Sequence, residues 1–566
     1  MPLLDQIRNE KLIELAKARF DPKLKRAELK VLRDSASSEE LPEPDEKALR
    51  PVVRAAFLRW LATDPDAAPH IDCKGIRVYA ATLLGNFDLE GSRVPVRLDF
   101  RRCTAKGEIN LEQAETQDIL FLNSSLEGET GFCADTIHVH GLLLLKGSSF
   151  SGTISLGGAR IEGDLDCSGA KLEVKKGRAL FADGAEIGGD VFFRKDSESA
   201  AENPIFEASG EIRMVGATIK GDLSLLGAKL TGTEKSALTA DGADIGGNVS
   251  FSKSLVSSGT IRLRGAGIGA YLDFSDADVA EVDCANLRLT GDLLWKGIQK
   301  PAKPFLKLTV ASVKNLRDDI ESWPEQDKLL LNDLVYEELT LEPQPRDARE
   351  GTRARIEWLK RQPDKRYIRP QPWMQLSKYL EARGRHREAK HVLYELHRLQ
   401  ARKLKWHPLE WVGSRLFHRR SLQVLPGESS EEDRSVFTYL RRAWAIFFAW
   451  LEEAPARILW LIGTTLFLGT LIFSGTDRSG AMIPSTKDRY DPQASSAMEH
   501  YPPFQPFVYT LENALPMAKL GIDDKWMPDP TRGSYLFLAT SRWLLILLGW
   551  FYAGVLGAAL SGRFKE

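Results

Sequence analysis

The sequence predicts a mainly β protein: a parallel β-helix solenoid with an N-terminal helical cap, a C-terminal helical hairpin and two transmembrane α-helices. Three observations support this fold class. The phrase Gly-Ala-x-Ile-x-Gly-Asp-Leu-x-Leu recurs between about residues 70 and 340, helical sequence flanks the repeats, and two apolar stretches lie near the C-terminus. Repetition at a period of about 20–30 residues indicates a solenoid in which each coil packs on its neighbours.

The repeats themselves predict strands. The clearest copies are GARIEGDLDC at 158–167, GAEIGGDVFF at 184–193, GATIKGDLSL at 216–225 and GADIGGNVSF at 242–251. Apolar residues alternate over short runs interrupted by glycine, which is typical of very short strands joined by tight bends. About a dozen such coils, stacked at the strand spacing of ~4.8 Å, would form a rod about 55–60 Å long.

A glycine precedes an Asp or Asn in most copies of the phrase. We expect this glycine to adopt a left-handed backbone at a corner, where the Asp or Asn bonds its own backbone. A row of calcium-binding carboxylates is the alternative, although one acidic residue per coil supplies few ligands. The glycines are Gly85, Gly163, Gly189, Gly221, Gly247 and Gly291, and the polar residues are Asp164, Asp190, Asp222, Asn248 and Asp292.

The sequence around the repeats sets the domain boundaries. Residues 1–68 are predicted to form a helical cap that hides unpaired strand edges at one end of the solenoid, which occupies 69–340. Residues 341–366 are a charged, proline-bearing linker, and 367–455 hold a helical hairpin and a juxtamembrane region. The hairpin resembles a single tetratricopeptide-type unit, which needs the solenoid end or a partner to cover it. Residues 456–566 form a two-span membrane region with an extracytoplasmic loop.

Two uncharged stretches predict the membrane spans. Residues 458–476 and 543–562 each have about 20 residues, the length that crosses a bilayer. Lys and Arg are concentrated before the first span and follow the second, so both termini are predicted to face the cytoplasm. Gly549, Ala553 and Gly557 repeat at every fourth position, a spacing that favours helix pairing and a homo-oligomer.

Between the spans, residues 504–526 include a predicted short amphipathic helix with Phe507, Val508 and Leu511 on one face. The order of span, short helix, loop and span resembles the pore unit of two-span potassium channels. The glycine-rich filter of those channels is missing, because residues 517–519 read Met-Ala-Lys. The short helix is therefore interpreted as a brace for the spans or as part of another kind of pore.

Composition and motifs give little support to nucleic-acid binding, metal binding or enzymatic activity. The chain has 77 basic and 78 acidic residues, so no basic excess draws it to nucleic acid. The five cysteines form no Cys-x-x-Cys pair, and we expect free, buried thiols in a reducing compartment. GAGIGA at 265–270 stays in register with the repeats and opens no helix, which argues against a dinucleotide loop.

Candidate site residues are few. His138 and His140 share a strand face with no third ligand in view, so we interpret them as solvated. A carbohydrate-active face would need convergent acidic groups, and its candidates are Asp99, Arg101 and Arg102, or Asp273 and Asp276. From the sequence we assign no catalytic residue, no cofactor and no metal.

Several segments occurring together suggest a family. The AAFLRWL helix, the Gly-Asp-Leu coils, the QPWMQL hairpin and the paired spans resemble uncharacterised bacterial membrane-associated β-helix proteins, akin to pentapeptide-repeat proteins. The resemblance covers most of the chain. It implies an architecture and a multi-pass location in the inner (plasma) membrane, but no chemistry.

The predicted function is that of a membrane-anchored, non-enzymatic β-helix acting as a binding scaffold or sensor at the cytoplasmic face. Its expected partners are the lipid bilayer, further copies of itself and an unknown cytoplasmic protein, with no nucleic acid. Two alternatives stay open: an oligomeric pore gated by the solenoid, and a carbohydrate-active or redox enzyme built on the β-helix.

Overall fold

The structure, a computed structural model, consists of two compact units, Met1–Val392 and Leu393–Glu566. Residues 404–456, which include the juxtamembrane part of the predicted region 367–455, and the Met-Ala-Lys segment lie outside the described residues. The described residues are 2–20, 23–42, 50–128, 131–196, 204–232, 236–299, 304–363, 368–403, 457–477, 480–485, 502–515 and 520–560.

The first unit confirms the predicted parallel solenoid, which has about 11 turns. A regular coil places two short strands in each of two sheets, and neighbouring coils pair in parallel. Coil length varies, because 22 residues separate the paired His138 and Arg160 whereas 32 separate Glu186 and Thr218. At the parallel-strand spacing the rod is roughly 50 Å long.

The strand bounds show how short most sides of the coil are. The first sheet contains Val52–Arg54, Thr82–Leu84, Phe87–Asp88, Thr104–Ala105, Ile109–Asn110, Ser125–Leu126, Phe132–Cys133, Ser149–Phe150, Ile154–Ser155, Lys171–Phe181, Glu207–Arg213, Lys229–Thr231, Ser236–Thr239, Val256–Arg262, Asp278–Asp283, Phe305–Lys307 and Leu329–Leu330. The second contains Ile76–Tyr79, Arg93–Val94, Leu98–Arg101, Glu115–Thr116, Ile119–Leu122, His138–Val139, Leu143–Leu144, Arg160–Ile161, Leu165–Asp166, Glu186–Ile187, Val191–Phe192, Thr218–Ile219, Leu223–Ser224, Asp244–Ile245, Val249–Ser250, Gly267–Ile268, Leu272–Asp273, Arg288–Trp295, Ser312–Asp318 and Val335–Leu341. GAGIGA is therefore part of a coil, as its register predicts.

The core consists of columns of inward side chains. Phe100 and Phe121 stack with ring centroids 4.6 Å apart, and Phe251 and Phe274 with centroids 4.8 Å apart, close to the spacing of the strands that carry them. One fully buried aliphatic column runs through Ile76, Leu98, Ile119, Leu143, Leu165, Val191, Leu223, Val249, Leu272, Leu293 and Leu316.

The cysteines follow the expectation of buried free thiols only in part. Cys103, Cys167 and Cys284 are buried, whereas Cys73 is exposed. Burial raises the pKa of the Cys103 thiol to about 12, so this sulfur stays protonated and behaves as a small apolar group.

The glycine before the Asp of each phrase has a different role from the predicted one. Of the predicted set only Gly85 has a left-handed backbone, and the left-handed corner belongs to the glycine of the Gly-Ala pair, as at Gly184 with φ +66°. At Gly189 a Cβ atom would lie 2.0 Å from Oδ1 of Asp164 and 2.9 Å from the backbone carbon of Gly163. Close stacking between coils, and not backbone conformation, therefore requires this glycine.

The Asp that follows each of these glycines joins neighbouring coils and does not bond its own turn. Oδ1 of Asp164 accepts a hydrogen bond from the backbone N–H of Asp190 at 2.8 Å. Asp190 accepts from the N–H of Asp222 at 2.8 Å, and Asp222 from the N–H of Asn248 at 2.7 Å. Each carboxylate thus occupies one oxygen with backbone, which supports a structural role over a calcium-binding row.

Replacing Asp222 with Ala should lower the free energy of unfolding of the solenoid by about 1–3 kcal/mol, because the N–H of Asn248 loses its acceptor. Urea unfolding of the full chain in detergent, followed by the β-sheet circular dichroism signal, measures the change. Asp244→Ala is the matched control, since Asp244 is exposed on the adjacent coil, and a change of no more than about 0.5 kcal/mol is expected. Equal losses in both variants would refute the inter-coil role of Asp222.

The N-terminal cap contains α1 (Pro2–Phe20), α2 (Arg26–Ala36), α3 (Ala55–Thr63) and the short 3-10 turn Ala68–His70. The prediction that the whole segment is helical is wrong at Val52–Arg54, a strand that pairs with Thr82–Leu84. The β-branched pair Val52 and Val53 suits a strand, and the first coil offers an edge for it. The solenoid thus begins before residue 69.

The predicted linker 341–366 contains helix α4 (Ala348–Lys360), so that prediction is wrong for half of its length. The Asp347 side chain caps the helix by accepting the N–H of Glu350 at 2.8 Å. Trp358 is buried on its inner face. The charges that suggested a linker belong partly to this amphipathic helix.

The hairpin consists of α5 (Gln371–Ala382) and α6 (His386–Lys403). Helix α5 covers the backbone edge of the last coil, because Nε2 of Gln375 donates to the carbonyl of Tyr336 at 3.1 Å. The hydroxyl of Tyr379 donates to the carbonyl of Leu339 at 3.3 Å. These contacts support capping of the solenoid as the role of α5.

The second unit contains helices α7 (Arg457–Asp477), α8 (Pro506–Ala514) and α9 (Tyr535–Leu560). Strands Met482–Pro484 and Trp526–Pro528 pair in antiparallel fashion between them. Both α7 and α9 are long and apolar enough to cross a membrane.

Candidate functional site

The two long helices of the second unit turn large apolar side chains outward. The exposed fraction is 78% for Trp460, 66% for Phe467, 66% for Leu547 and 65% for Trp550. Contiguous apolar surface of this kind is characteristic of helices covered by lipid or by another protein.

Helix α8 is buried on its polar side. The predicted short helix is confirmed, but Tyr509, Thr510 and Asn513 face inward, whereas Phe507 is 53% and Leu515 40% exposed. A helix at a water-facing surface shows the opposite arrangement, with its apolar side packed inward. The distribution of side chains therefore matches an apolar surrounding.

Two glycines make room for α8 between the long helices. A Cβ atom at Gly469 would lie 2.4 Å from Cγ2 of Thr510, and one at Gly549 would lie 2.2 Å from the carbonyl oxygen of Ala514. Gly469 and Gly549 lie near the middle of α7 and α9. The short helix is thus inserted at mid-length between the two candidate spans.

Polar groups around α8 satisfy one another. Arg542, which immediately precedes the predicted second span 543–562, lies inside α9, and its Nε donates to Oδ1 of Asn513 at 3.0 Å. Its Nη2 also donates to the carboxylate of Asp523 at 2.5 Å. The Glu512 carboxylate accepts the backbone N–H groups of residues 520–523 at 2.8–2.9 Å, which fixes the chain after α8.

On the solenoid, side chains from three successive coils meet on one outer face. The register pairs His138 with Glu115 in the preceding coil and with Arg160 in the following coil. His140 lies two residues beyond His138 on the same face, beside Glu162 of the following coil. Two imidazoles thus stand next to two carboxylates.

Hydrogen bonds hold this cluster of Glu115, His138, His140 and Glu162. Nε2 of His138 lies 3.0 Å from Oε1 of Glu162, and Nδ1 of His140 lies 3.4 Å from the same oxygen. Nε2 of His140 lies 3.0 Å from Oε1 of Glu115. The two imidazole centroids are 4.1 Å apart, so the rings are neighbours.

The electrostatics of the cluster follow from these contacts. The hydrogen bond to Glu115 raises the pKa of His140, and the same bond lowers the pKa of Glu115. The hydrogen bond from His138 lowers the pKa of Glu162. His140 and Glu115 thus each favour the charged form of the other.

Glu162 supplies the third ligand-type side chain beside His138 and His140 that was not in view in the sequence. One ligand atom from each of His138, His140 and Glu162 lies within 4.8 Å of the others. Aligning the buried Val139 with Ile161 would have placed Glu162 beside His140. That alignment requires the coil register, which the irregular repeat lengths obscure.

The two alternative sets of residues considered for a carbohydrate-active face lie far from each other. Asp99 and Asp273 lie in one column seven coils apart, roughly 34 Å at the strand spacing. Asp99 is bonded to Arg101, with Nε and Oδ1 3.0 Å apart. Arg102 and Asp276 occupy left-handed corners with φ +54° and +62°. The ion pair and the two corner conformations are therefore consistent with structural roles in the coils.

A cavity of about 490 Å³ lies between the last coil, α4 and α5. Its buried Arg355 is paired with Asp318, and Arg385 donates to the hydroxyl of Thr352 at 2.8 Å. Both guanidinium groups are therefore bonded to neighbouring side chains at the C-terminal end of the solenoid, which favours a structural role for this region.

Among the described residues, two features are therefore candidates for a function. They are helix α8 between α7 and α9, and the cluster of Glu115, His138, His140 and Glu162. No family model, curated protein or solved structure matches the chain.

Proposed function

We propose that the chain is a membrane-anchored, non-enzymatic β-solenoid that acts as a binding scaffold or sensor at the cytoplasmic face of an inner membrane. The observation that supports this most is the inverted burial of the second unit, with Trp460 and Leu547 outward and Asn513 and Arg542 bonded within it. This arrangement suits a lipid bilayer, because lipid solvates the outward apolar side chains. Lipid offers polar side chains no hydrogen-bond partner, so these bond to one another inside the unit.

The solenoid suits the scaffold part of the proposal. Its rungs are held by apolar columns and inter-coil Asp bonds, so its outer surface is a rigid array of polar side chains. The proposed orientation, with both termini in the cytoplasm, rests on the Lys and Arg distribution. The architecture and chain order resemble those of bacterial membrane-associated β-helix proteins akin to pentapeptide-repeat proteins.

A channel-like assembly is the second candidate, and the position of α8 favours it. A short helix between two spans, packed at Gly469 and Gly549, resembles the order of elements in a two-span channel pore unit. The filter position belongs to the Met-Ala-Lys segment, whose lysine would repel cations if it faced a pore. We therefore place this function second.

Reconstitution of the full chain into liposomes and planar bilayers tests the proposal. We expect the protein to stay with the vesicles after alkaline carbonate extraction and the bilayers to show no discrete current steps. Release by carbonate would contradict membrane anchoring. Current steps that persist in Gly554→Val and vanish in Gly549→Val would establish the pore instead, because a Cβ at Gly554 meets nothing within 4 Å.

The scaffold role needs a second readout. Photo-crosslinking residues at the exposed positions Leu84 and Val335, which belong to the two different sheets, should yield a discrete product in native membranes from at least one position. Failure at both positions in a folded, membrane-inserted protein would count against a scaffold.

A further inference from the structure

We propose that His138, His140 and Glu162 form a binding site for a divalent transition metal ion of the zinc type, with Glu115 orienting His140. This inference concerns the outer face of the solenoid and is independent of the membrane function proposed above.

The distances already approximate a ligand set. Metal–ligand bonds of ~2.0–2.2 Å in tetrahedral geometry place neighbouring ligand atoms roughly 3.3–3.6 Å apart. Nε2 of His138 and Nδ1 of His140 lie 3.0 and 3.4 Å from Oε1 of Glu162. All three atoms lie within 4.8 Å of one another, so small side-chain rotations would close the set around one ion.

Glu115 provides the support that metal-bound histidines commonly have. Its Oε1 lies 3.0 Å from Nε2 of His140, the nitrogen on the side of the ring away from Glu162. A proton on Nε2, donated to Glu115, leaves the lone pair of Nδ1 facing Glu162. Carboxylates that hold the second nitrogen of a histidine in this way fix both its tautomer and its ring orientation.

The backbone keeps these groups in place. His138 is paired with Glu115 and with Arg160 in the parallel ladder, so neither strand can slide without breaking the core column of Val139 and Ile161. Because the three coils are fixed at the strand spacing, the side chains start close together before any ion arrives. Pre-organisation of this kind lowers the cost of binding.

The donor set selects the class of ion. Two imidazoles and one carboxylate suit zinc and its neighbours in the first transition row, whereas calcium and magnesium prefer sets made entirely of oxygen. With both imidazoles neutral, the two carboxylates carry two negative charges, which a divalent ion neutralises. The side chains are 30–44% exposed, so a fourth ligand from solvent can reach the ion.

The same hydrogen bonds have a metal-free explanation. A protonated His140 between Glu115 and Glu162 would account for both of its contacts as simple ion pairs. The two explanations differ in one measurable property, because an imidazolium held by carboxylates has no special affinity for zinc.

Titration of the chelator-treated full chain in detergent with Zn²⁺ and, separately, Co²⁺ tests the site. Calorimetry should show one Zn²⁺ ion per chain bound by the wild type and lost in His138→Ala/His140→Ala. Glu162→Gln should weaken binding strongly, and Glu115→Ala by about 10–100-fold. Co²⁺ should give the intense visible absorption of a four-coordinate site, absent from the double variant.

Glu186→Gln is the matched control, since Glu186 follows Arg160 in the same outer column but lies outside the cluster. It should bind Zn²⁺ as the wild type does. Equal Zn²⁺ binding by the wild type and the double variant, or no binding by the wild type, would overturn the proposal. Metal-free melting curves verify folding, and the near-isosteric Glu162→Gln decides the question if the double variant melts early.

Discussion

Arg355→Met should lower the free energy of unfolding of the solenoid unit by about 3–5 kcal/mol, because it leaves a buried carboxylate without its partner. The side chains of Arg355 and Asp318 are 6% and 2% exposed. Nη1 and Nη2 of Arg355 donate to the two oxygens of Asp318, each at 2.6 Å, and Nε1 of Trp323 donates to Asp318 at 2.9 Å. The pair joins α4 to the end of the solenoid, so its loss should release the C-terminal cap first.

Arg317→Met is the matched control for this prediction. Arg317 pairs with Asp292 at 2.9 Å, but the two side chains are 45% and 24% exposed, and a loss below about 1 kcal/mol is expected. Urea unfolding of both variants provides the comparison. The double variant Arg355→Met/Asp318→Leu should recover much of the loss, because no charge remains buried. Similar losses for Arg355→Met and Arg317→Met would show that the buried pair does not hold the cap.

Gly549→Val should displace α8 from its position between α7 and α9. A Cβ atom at Gly549 would lie 2.2 Å from the carbonyl oxygen of Ala514, which is backbone and cannot rotate away. Thr510 is fully buried in the native arrangement, so its position reports the displacement. In a Cys73→Ser/Cys133→Ser background, which removes the exposed and the half-buried native thiol, Thr510→Cys should react with maleimide about tenfold faster, or more, when Gly549→Val is added.

Gly554→Val tests whether any valine in α9 has this effect. Gly554 lies five residues further along the same helix, and a Cβ there has no neighbour within 4 Å. Its addition should leave the labelling rate of Thr510→Cys unchanged. Fast labelling before any glycine is replaced would contradict the buried position of α8.

The solenoid could be predicted because its signal is local. Short alternating runs and glycine breaks specify strands and bends within one coil such as 158–167, and the recurrence of that pattern specifies the solenoid. The contacts between coils could not be predicted in the same way. The hydrogen bond from the Asn248 N–H to Asp222 and the tight contact of Gly189 with Asp164 depend on which residues stack.

The same reason explains what was missed in the candidate site. Glu162 is 22 residues from His140 along the chain, yet the coil register makes them neighbours. Coils of unequal length hide that register in the sequence. In the second unit, the pattern of polar and apolar faces identified α8, but which of its sides is buried depends on the surrounding medium, which the pattern does not specify.

The misassigned boundaries have local physical causes. Val52–Arg54 was predicted to be part of the helical cap because its apolar residues continue a helical spacing. In the structure its backbone pairs instead with the parallel strand Thr82–Leu84. Helix α4 was not predicted because its many charged residues are typical of an exposed linker. Arg355 can be recognised as a buried residue only once its ion pair with Asp318 is known.

Spin-label accessibility in lipid bilayers tests the central claim, that α7 and α9 cross a membrane while the solenoid stays in water. Nitroxides at Phe467→Cys and Leu547→Cys, in the Cys73→Ser/Cys133→Ser background, should be relaxed strongly by oxygen and weakly by a water-soluble nickel chelate. A nitroxide at Val256→Cys on the solenoid, whose native side chain is 44% exposed, should show the opposite order. Strong relaxation by the nickel chelate at both Phe467→Cys and Leu547→Cys would contradict the claim.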